Sequence, residues 1–339
     1  MVVDTVVAPR VPEYRARTKM APEDMEARWR KLAVDSDYSL LLTGPTRLLK
    51  PDGKVLAHYL PGAFSAEYMD GFYDVLHELR KMETGNRGYA SGTQSFPAFK
   101  DSTRMRTVPI SSAIIGSADP GGQYFYCRLT AFSLKDFEKY SSLFPLFQSI
   151  SQLFSETVGD RFAAQMAFVN RTHPDWVIPG TPFTTITVNN SYPTGYHTDK
   201  GDLDEGFSCL TVLKHGNYSG GRLVFPEYGV AVDMGHGDQL FMDAHAAHGN
   251  TQLICGDCGV PMGPGAGQDY SHEAQGCTAE RISIVSYYRT KMENCGSADE
   301  EAAKAATAAE RRAGLAEGRT LADIAVDEQA METVSFHGK

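Results

Sequence analysis

The sequence predicts a mainly β protein with flanking α-helices, and three observations carry that reading. From Phe162 to Tyr288, short runs rich in Val, Ile, Thr and Phe alternate with turn residues. Their spacing of about 8–12 residues, broken by two longer loops, suits a sandwich or barrel better than βαβ units. Ahead of them, Phe64, Tyr68, Phe72, Val75, Leu76 and Leu79 recur at helical spacing, as do Phe137, Phe144, Phe147, Ile150, Leu153 and Phe154. Finally, 42% of the 339 residues are hydrophobic, enough for a sizeable core without disulfide staples.

The elements follow in chain order. Residues 22–32 (PEDMEARWRKL) read as one charged surface helix within an N-terminal arm, 1–49. KVLAHYL (54–60) is a strand that opens the core, and Pro61 and Gly62 turn it into a helix over 64–80. A second amphipathic helix is expected over 134–158, its aromatics packing against a sheet. The strands then expected are AAQMAFVN (163–170), PFTTITVNN (182–190), FSCLTVLKH (207–215), GRLVF (221–225), GVAVDM (229–234), DQLFM (238–242) and RISIVSYY (281–288). The core is expected to span 50–295, with an inserted Cys- and Gly-rich loop at 253–280. Beyond it, 296–339 carries nine acidic and five basic residues and reads as a helical, acidic tail.

Charge and composition narrow the function. Lys plus Arg number 32 against 42 Asp plus Glu, a net charge of −10. That balance argues against nonspecific coating of nucleic acid but leaves room for a local basic patch. No apolar run approaches the roughly 20 residues needed to cross a bilayer, and the first twenty residues lack the apolar stretch of a signal peptide. A soluble intracellular protein with no membrane partner is therefore expected. Six cysteines, Cys127, Cys209, Cys255, Cys258, Cys277 and Cys295, are too sparse for a disulfide framework, so free thiols are expected.

The chemistry concentrates in three residues. Tyr196-His197-Thr198-Asp199 sets an imidazole and a carboxylate two residues apart, on one face of an extended segment and roughly 6.5–7 Å apart at Cα. His248 follows 51 residues after His197, beyond the 238–242 strand. Gly220-Gly221-Arg222-Leu223 and Gly237-Asp238 supply the turns that return that strand to the first. Two imidazoles and one carboxylate form the facial set that holds Fe(II) while leaving positions open. An isolated pair of this kind is often a surface polar pair. The order HTD, GGRL, GD, HGN, RIS across a β-rich half makes a metal site the better reading.

On these motifs the sequence resembles the double-stranded β-helix dioxygenases, and within them the TET/JBP family, which oxidises the methyl group of thymine or 5-methylcytosine. The likeness covers about residues 50–292, from KVLAHYLPGAF and the helix after it through HTD…GGRL…GDQLF…HGN…RIS. It implies a double-stranded β-helix (jelly-roll) core packed by N-terminal and central helices. It also implies Fe(II) held by His197, Asp199 and His248, dioxygen as oxidant, methylated double-stranded DNA as partner, and a nuclear location. His248 is preferred to His245 as the distal ligand because Gly249 and Asn250 follow it, as in related enzymes. The likeness is greatest to the algal branch of the family, which modifies 5-methylcytosine with ascorbate as cosubstrate and leaves a glyceryl adduct. That reaction is the expected one, with 2-oxoglutarate-dependent hydroxylation as the alternative.

Two features bear on the cosubstrate. Relatives that use 2-oxoglutarate pair its distal carboxylate with an Arg shortly after the distal His, and Arg281-Ile282-Ser283 fits that pattern, with Ser283 beside it. Here it arrives 33 residues after His248, behind the insertion, and an Arg in an ordinary strand reads equally well. Asp202, three positions after Asp199, is expected at the mouth of the site. A second free carboxylate would repel a dianion. It could instead accept hydrogen bonds from ascorbate hydroxyls or take a proton from one, which makes Asp202 the candidate catalytic residue.

DNA contact is assigned to the basic stretch 80–111, where Arg87, Lys100, Arg104 and Arg106 alternate with Gly, Ser, Thr and aromatics. A methyl inside a duplex requires base extrusion, and Asn189, Asn190 and Tyr192 are candidates for reading the extruded base. In the insertion, Cys255 and Cys258, with His272 and Cys277 downstream, could hold a structural zinc, with Cys295 further on. Two competing readings remain: a prolyl-type protein hydroxylase sharing the same metal set, and a catalytically silent binder of modified DNA. Charge reversal in the Arg87 to Arg106 stretch would separate the first from a DNA enzyme.

Overall fold

The computed structural model describes residues 11–84, 95–97, 105–107, 110–121, 124–263, 273 and 275–316. Side-chain alternation along its strands organises the molecule. In Ser208–His215, Cys209 and Leu213 pack among the helices, while Leu210 and Val212 face the other way into a second apolar cluster. This strand runs antiparallel between Gln239–Met242 and Glu280–Tyr287. The main sheet continues through Thr185–Asn190 to Ile110–Ala118 on one side, and through Val55–Leu60 to Thr46–Leu49 on the other.

A smaller sheet faces it, in the order Gly249–Asn250, Leu223–Phe225, Val230–Val232, Leu40–Leu42. Leu223, Phe225, Val230 and Val232 fill the gap against Leu210, Val212, Leu240 and Met242. On the outer face, Phe147, Ile150 and Phe154 of helix Phe144–Thr157 pack with Ile186, Val188, Ile282 and Ile284. Each such burial contributes about 1.5–3 kcal/mol, so the helix-covered side is firmly held. Toward one end of the roll the inner face turns polar, and there the two sheets enclose a cavity rather than a core.

Several elements differ from the sequence expectation. AAQMAFVN is helical, not a strand: it ends helix Gly159–Val169, with Gln165 and Val169 buried four residues apart. Ala, Gln and Met are strong helix formers, and the neighbouring Phe162 and Met166 continue the same stripe. The 64–80 helix breaks into Ala66–Asp70 and Tyr73–Glu78, followed by a 3-10 turn at Leu79–Lys81. The 134–158 helix is three: Ala131–Lys135, Phe137–Ser142 and Phe144–Thr157, the last opening with Pro145 in its first turn. The N-terminal arm carries helix Pro22–Arg28, as expected, and also lends Thr46–Leu49 to the main sheet and Leu40–Leu42 to the small one.

Cysteine usage also differs. Cys127 and Cys295 form a disulfide, Cα to Cα 5.9 Å, across 168 residues of chain, so these two are not free thiols. Cys209, Cys255, Cys258 and Cys277 are free. The bridge lies at the base of helix Ala298–Ala316, whose Glu301 accepts hydrogen bonds from the Cys127 and Gly296 amides. Among the described residues, no helix is long and apolar enough to cross a membrane.

Candidate active site

His197 and His248 meet as cross-strand partners. The His197 amide donates to the His248 carbonyl at 2.9 Å, and the His248 amide returns the bond at 3.0 Å. Each imidazole is oriented by its own backbone neighbour: His197 Nδ1 lies 2.8 Å from the Gly195 carbonyl and His248 Nδ1 2.9 Å from the Ala246 carbonyl. A carbonyl accepts only from a protonated Nδ1, which leaves both Nε2 lone pairs for another ligand. Those two nitrogens lie 3.7 and 3.8 Å from the two oxygens of Asp199. The three ligating atoms all lie within 4.8 Å of one another. Burial, reinforced by His197, pulls the His248 pKa down to about 4, so this ring is neutral and competent to ligate at physiological pH. Two imidazole nitrogens and a carboxylate are a set that suits Fe(II), and all three residues line the cavity.

His245 stands outside this cluster. Its ring is held 2.8 Å from Asp204 and 3.4 Å from Asp243, and its pKa is raised, first by the hydrogen bond to Asp243. The N-terminal arm holds the first two ligands in place from behind. Arg30 and Lys31 exchange backbone bonds with Tyr196, and the Tyr196 hydroxyl donates to buried Asp37 at 2.8 Å. Gly195 is required at that junction, because a Cβ there would stand 2.5 Å from the Arg30 carbonyl oxygen.

The metal set opens on a cavity of about 920 Å³. Strand alternation decides which predicted residues reach it. In Thr185–Asn190, Ile186 and Val188 face the helices, so Thr187 and Asn189 face the cavity. Asn190, expected to read a base, points to the opposite face, where its amide donates to Glu280 at 2.9 Å and to the Leu76 carbonyl. In Glu280–Tyr287, Ile282 and Ile284 are outward, so Arg281, Ser283, Val285 and Tyr287 are inward. Tyr192 also lines the wall.

Arg281 is 4% exposed, and its Nη2 has no hydrogen-bond partner. Burial pulls the guanidinium pKa below its ordinary value, with Tyr218 and Asp233 offsetting part of the effect. A buried cation with an unused donor facing a cavity is poised for an anionic ligand. Asp202, 8% exposed, accepts a hydrogen bond from Ser208 Oγ at 2.7 Å. Burial, and then Asp199, push its pKa up to about 8. Burial thus works against a free carboxylate at this position, and the bond from Ser208 is the contact the geometry provides.

Other residues of the wall escaped sequence reasoning. Arg289 makes a bidentate ion pair with Asp119 at 3.1 Å, and both line the cavity beside Lys200 and Lys291. The signal is invisible locally because the partners lie 170 residues apart. Of the assigned DNA contacts, Arg87, Lys100 and Arg104 lie outside the described residues. Arg106 falls in Met105–Thr107, paired with Ser95–Pro97. Of the predicted zinc ligands, the structure brings Cys255, Cys258 and Cys277 together. Cys295 is committed to its disulfide, and His272 lies outside the described residues.

Two facing sheets with a two-histidine, one-carboxylate set at their open end form the architecture of the double-stranded β-helix class. A family model described as the Tet/JBP oxygenase domain of the 2OGFeDO superfamily matches residues 121–290, and the chain belongs to this family. Among curated proteins it is similar to thymine dioxygenase JBP1 of Trypanosoma brucei brucei, 34% identical over 196 residues. That match covers 54% of this chain and 21% of the relative. JBP1 of Crithidia fasciculata is 34% identical over 173 residues, covering 48% of this chain and 20% of the relative. The matches thus span about a fifth of those relatives' length. Among solved structures, NgTET1 in complex with 5mC DNA shares the fold, with a TM-score of 0.53 at 14% identity, covering 84% of each chain.

Proposed function

We propose that this protein is an Fe(II)-dependent dioxygenase that acts on 5-methylcytosine in DNA, uses ascorbate as cosubstrate and adds a glyceryl group to the C5 methyl. The observation that carries the reading is the lining of one cavity, where Arg281, Ser283 and Asp202 occur together with His197, Asp199 and His248. His197, Asp199 and His248 would hold the iron, which when bound supplies dioxygen activation and attack on an unreactive methyl group. Arg281 offers one positive charge and Ser283 a hydroxyl from one strand, and Asp202 a hydrogen-bonding carboxyl elsewhere on the same lining. That set complements a singly charged lactone carrying several hydroxyls, which is the form of ascorbate at neutral pH. Asn189, held by a 2.6 Å bond from Ser112 Oγ, presents a rigid amide to an extruded base, and Tyr192 presents an aromatic ring. Methylated duplex DNA as partner and a nuclear location belong to the same proposal.

Arg281 also favours a second reading, 2-oxoglutarate-dependent hydroxylation, because a buried guanidinium equally suits the far carboxylate of a dianion. One experiment separates the two. The protein is incubated aerobically with Fe(II), either cosubstrate, and duplex DNA with or without 5-methylcytosine, and the nucleosides are weighed by mass spectrometry. A three-carbon polyol adduct on methylcytosine, with ascorbate alone, is expected. A single added oxygen with 2-oxoglutarate supports the second reading. Modification of thymine in unmethylated DNA overturns the choice of base.

A further inference from the structure

We propose that Cys255, Cys258 and Cys277 form a zinc site that clamps the two ends of the 253–280 insertion beside Arg281. The three sulfurs all lie within 4.8 Å of one another. Tetrahedral Zn–S bonds of about 2.3 Å place sulfurs about 3.8 Å apart, so the cluster closes on an ion with small side-chain movements. Cys255 ends strand Leu253–Cys255, and the chain turns back at once: the Gly259 amide donates to the Cys255 carbonyl, and the Cys255 amide to Val260. Gly259 takes a φ of +72°, which a side chain would resist. Against its burial, backbone amides of Cys258 and Asp257 lower the Cys255 thiol, whereas Cys258, burial and Cys255 push Cys277 up to about 12, so the cluster gives up its protons together only to a cation. Backbone donors converging on one sulfur stabilise a thiolate, the form that ligates metal.

The need for an ion follows from the size of the flap. Its strands Tyr218–Gly220, Leu253–Cys255 and Pro261–Met262 form a separate three-stranded sheet. Among the described residues, the apolar cluster beneath them has Tyr218, Leu253, Cys255, Met262 and Ala279 as its buried members. So small a core is commonly completed by a metal. Cys277 lies three residues before Glu280–Tyr287, the strand that carries Arg281. A Cβ on Gly221 would stand 2.6 Å from Leu253 Cδ2 and 3.1 Å from Arg281 Cδ, so Leu253 and the guanidinium stem flank the same glycine. Three thiolates and one further donor, a water molecule or another residue, complete the shell. Binding releases the thiol protons and changes no oxidation state.

The test uses the full chain expressed with zinc supplied, and reads metal content rather than turnover. About one zinc per chain is expected. Cys258→Ser and Cys277→Ser are expected to lower it at least tenfold, while Cys209→Ser and His248→Ala retain it. Should the serine variants fail to fold, stoichiometric zinc release from the wild type by a mercurial reagent gives the same answer. Replacement by Co(II) is expected to produce a thiolate-to-metal charge-transfer band. Zinc-free protein would overturn the proposal, as would a mass two hydrogens lighter than expected after the Cys127–Cys295 bridge is allowed for, the mark of a second disulfide.

Discussion

At the scale of single residues, two side chains separate positioning from charge. Arg281→Ala removes the buried cation and is expected to raise the KM for the cosubstrate by roughly tenfold to a hundredfold, since a charge-assisted bond is worth about 1.5–3 kcal/mol. The fall in kcat should be smaller, because the metal ligands are untouched; steady-state kinetics with either cosubstrate measures this. Asp202→Ala is expected to slow the ascorbate reaction while sparing any turnover with 2-oxoglutarate, whose two carboxylates are served by the metal and Arg281. Equal turnover with ascorbate before and after the change would remove Asp202 from the catalytic assignment. The His197–Asp199 pair was legible from spacing, because it needs only an extended segment to share a face, whereas His248 was preferred to His245 on the likeness to related enzymes. The Asp119–Arg289 pair was not, since nothing local joins residues so distant in the chain.

At the scale of elements, the period-two pattern decides what one-dimensional reading could not. Asn189 and Asn190 are chemically identical neighbours, yet one lines the cavity and the other is buried behind it with Glu280. The register against Ile110–Ala118 and Glu280–Tyr287 fixes which is which, and Ile186 and Val188 already marked the covered face. Asn190→Ala is accordingly expected to destabilise the fold by about 1–3 kcal/mol, by leaving a Glu280 carboxylate oxygen short of a donor. Affinity for DNA should not change; urea denaturation alongside a binding titration checks both halves. The same limit explains helix Gly159–Val169. Its last eight residues contain Phe and Val near a run of strands, and the window was too short to expose the helical stripe that begins at Phe162.

At the scale of the molecule, acid sensitivity has an identifiable source away from the metal. His58 is 7% exposed in Val55–Leu60, and burial, aided by Arg47, pulls its pKa down to about 4 from an ordinary 6.5. Between those values the unfolded chain takes up a proton that the folded protein refuses. Its contribution is therefore present above about pH 6.5 and is lost as pH falls toward 4, by about 3 kcal/mol in all. His58→Phe should flatten the slope of unfolding free energy over that window, measured by denaturant titration at successive pH values. Reciprocal main-chain bonds join His197 and His248. They make a claw whose jaw width is set by the peptide backbone, independent of what it grips. Stripping the ion should leave far-ultraviolet circular dichroism unaltered, and reloading should be rapid, with no refolding lag. An empty claw that had collapsed would show that the ion, rather than the ladder, sets the gap.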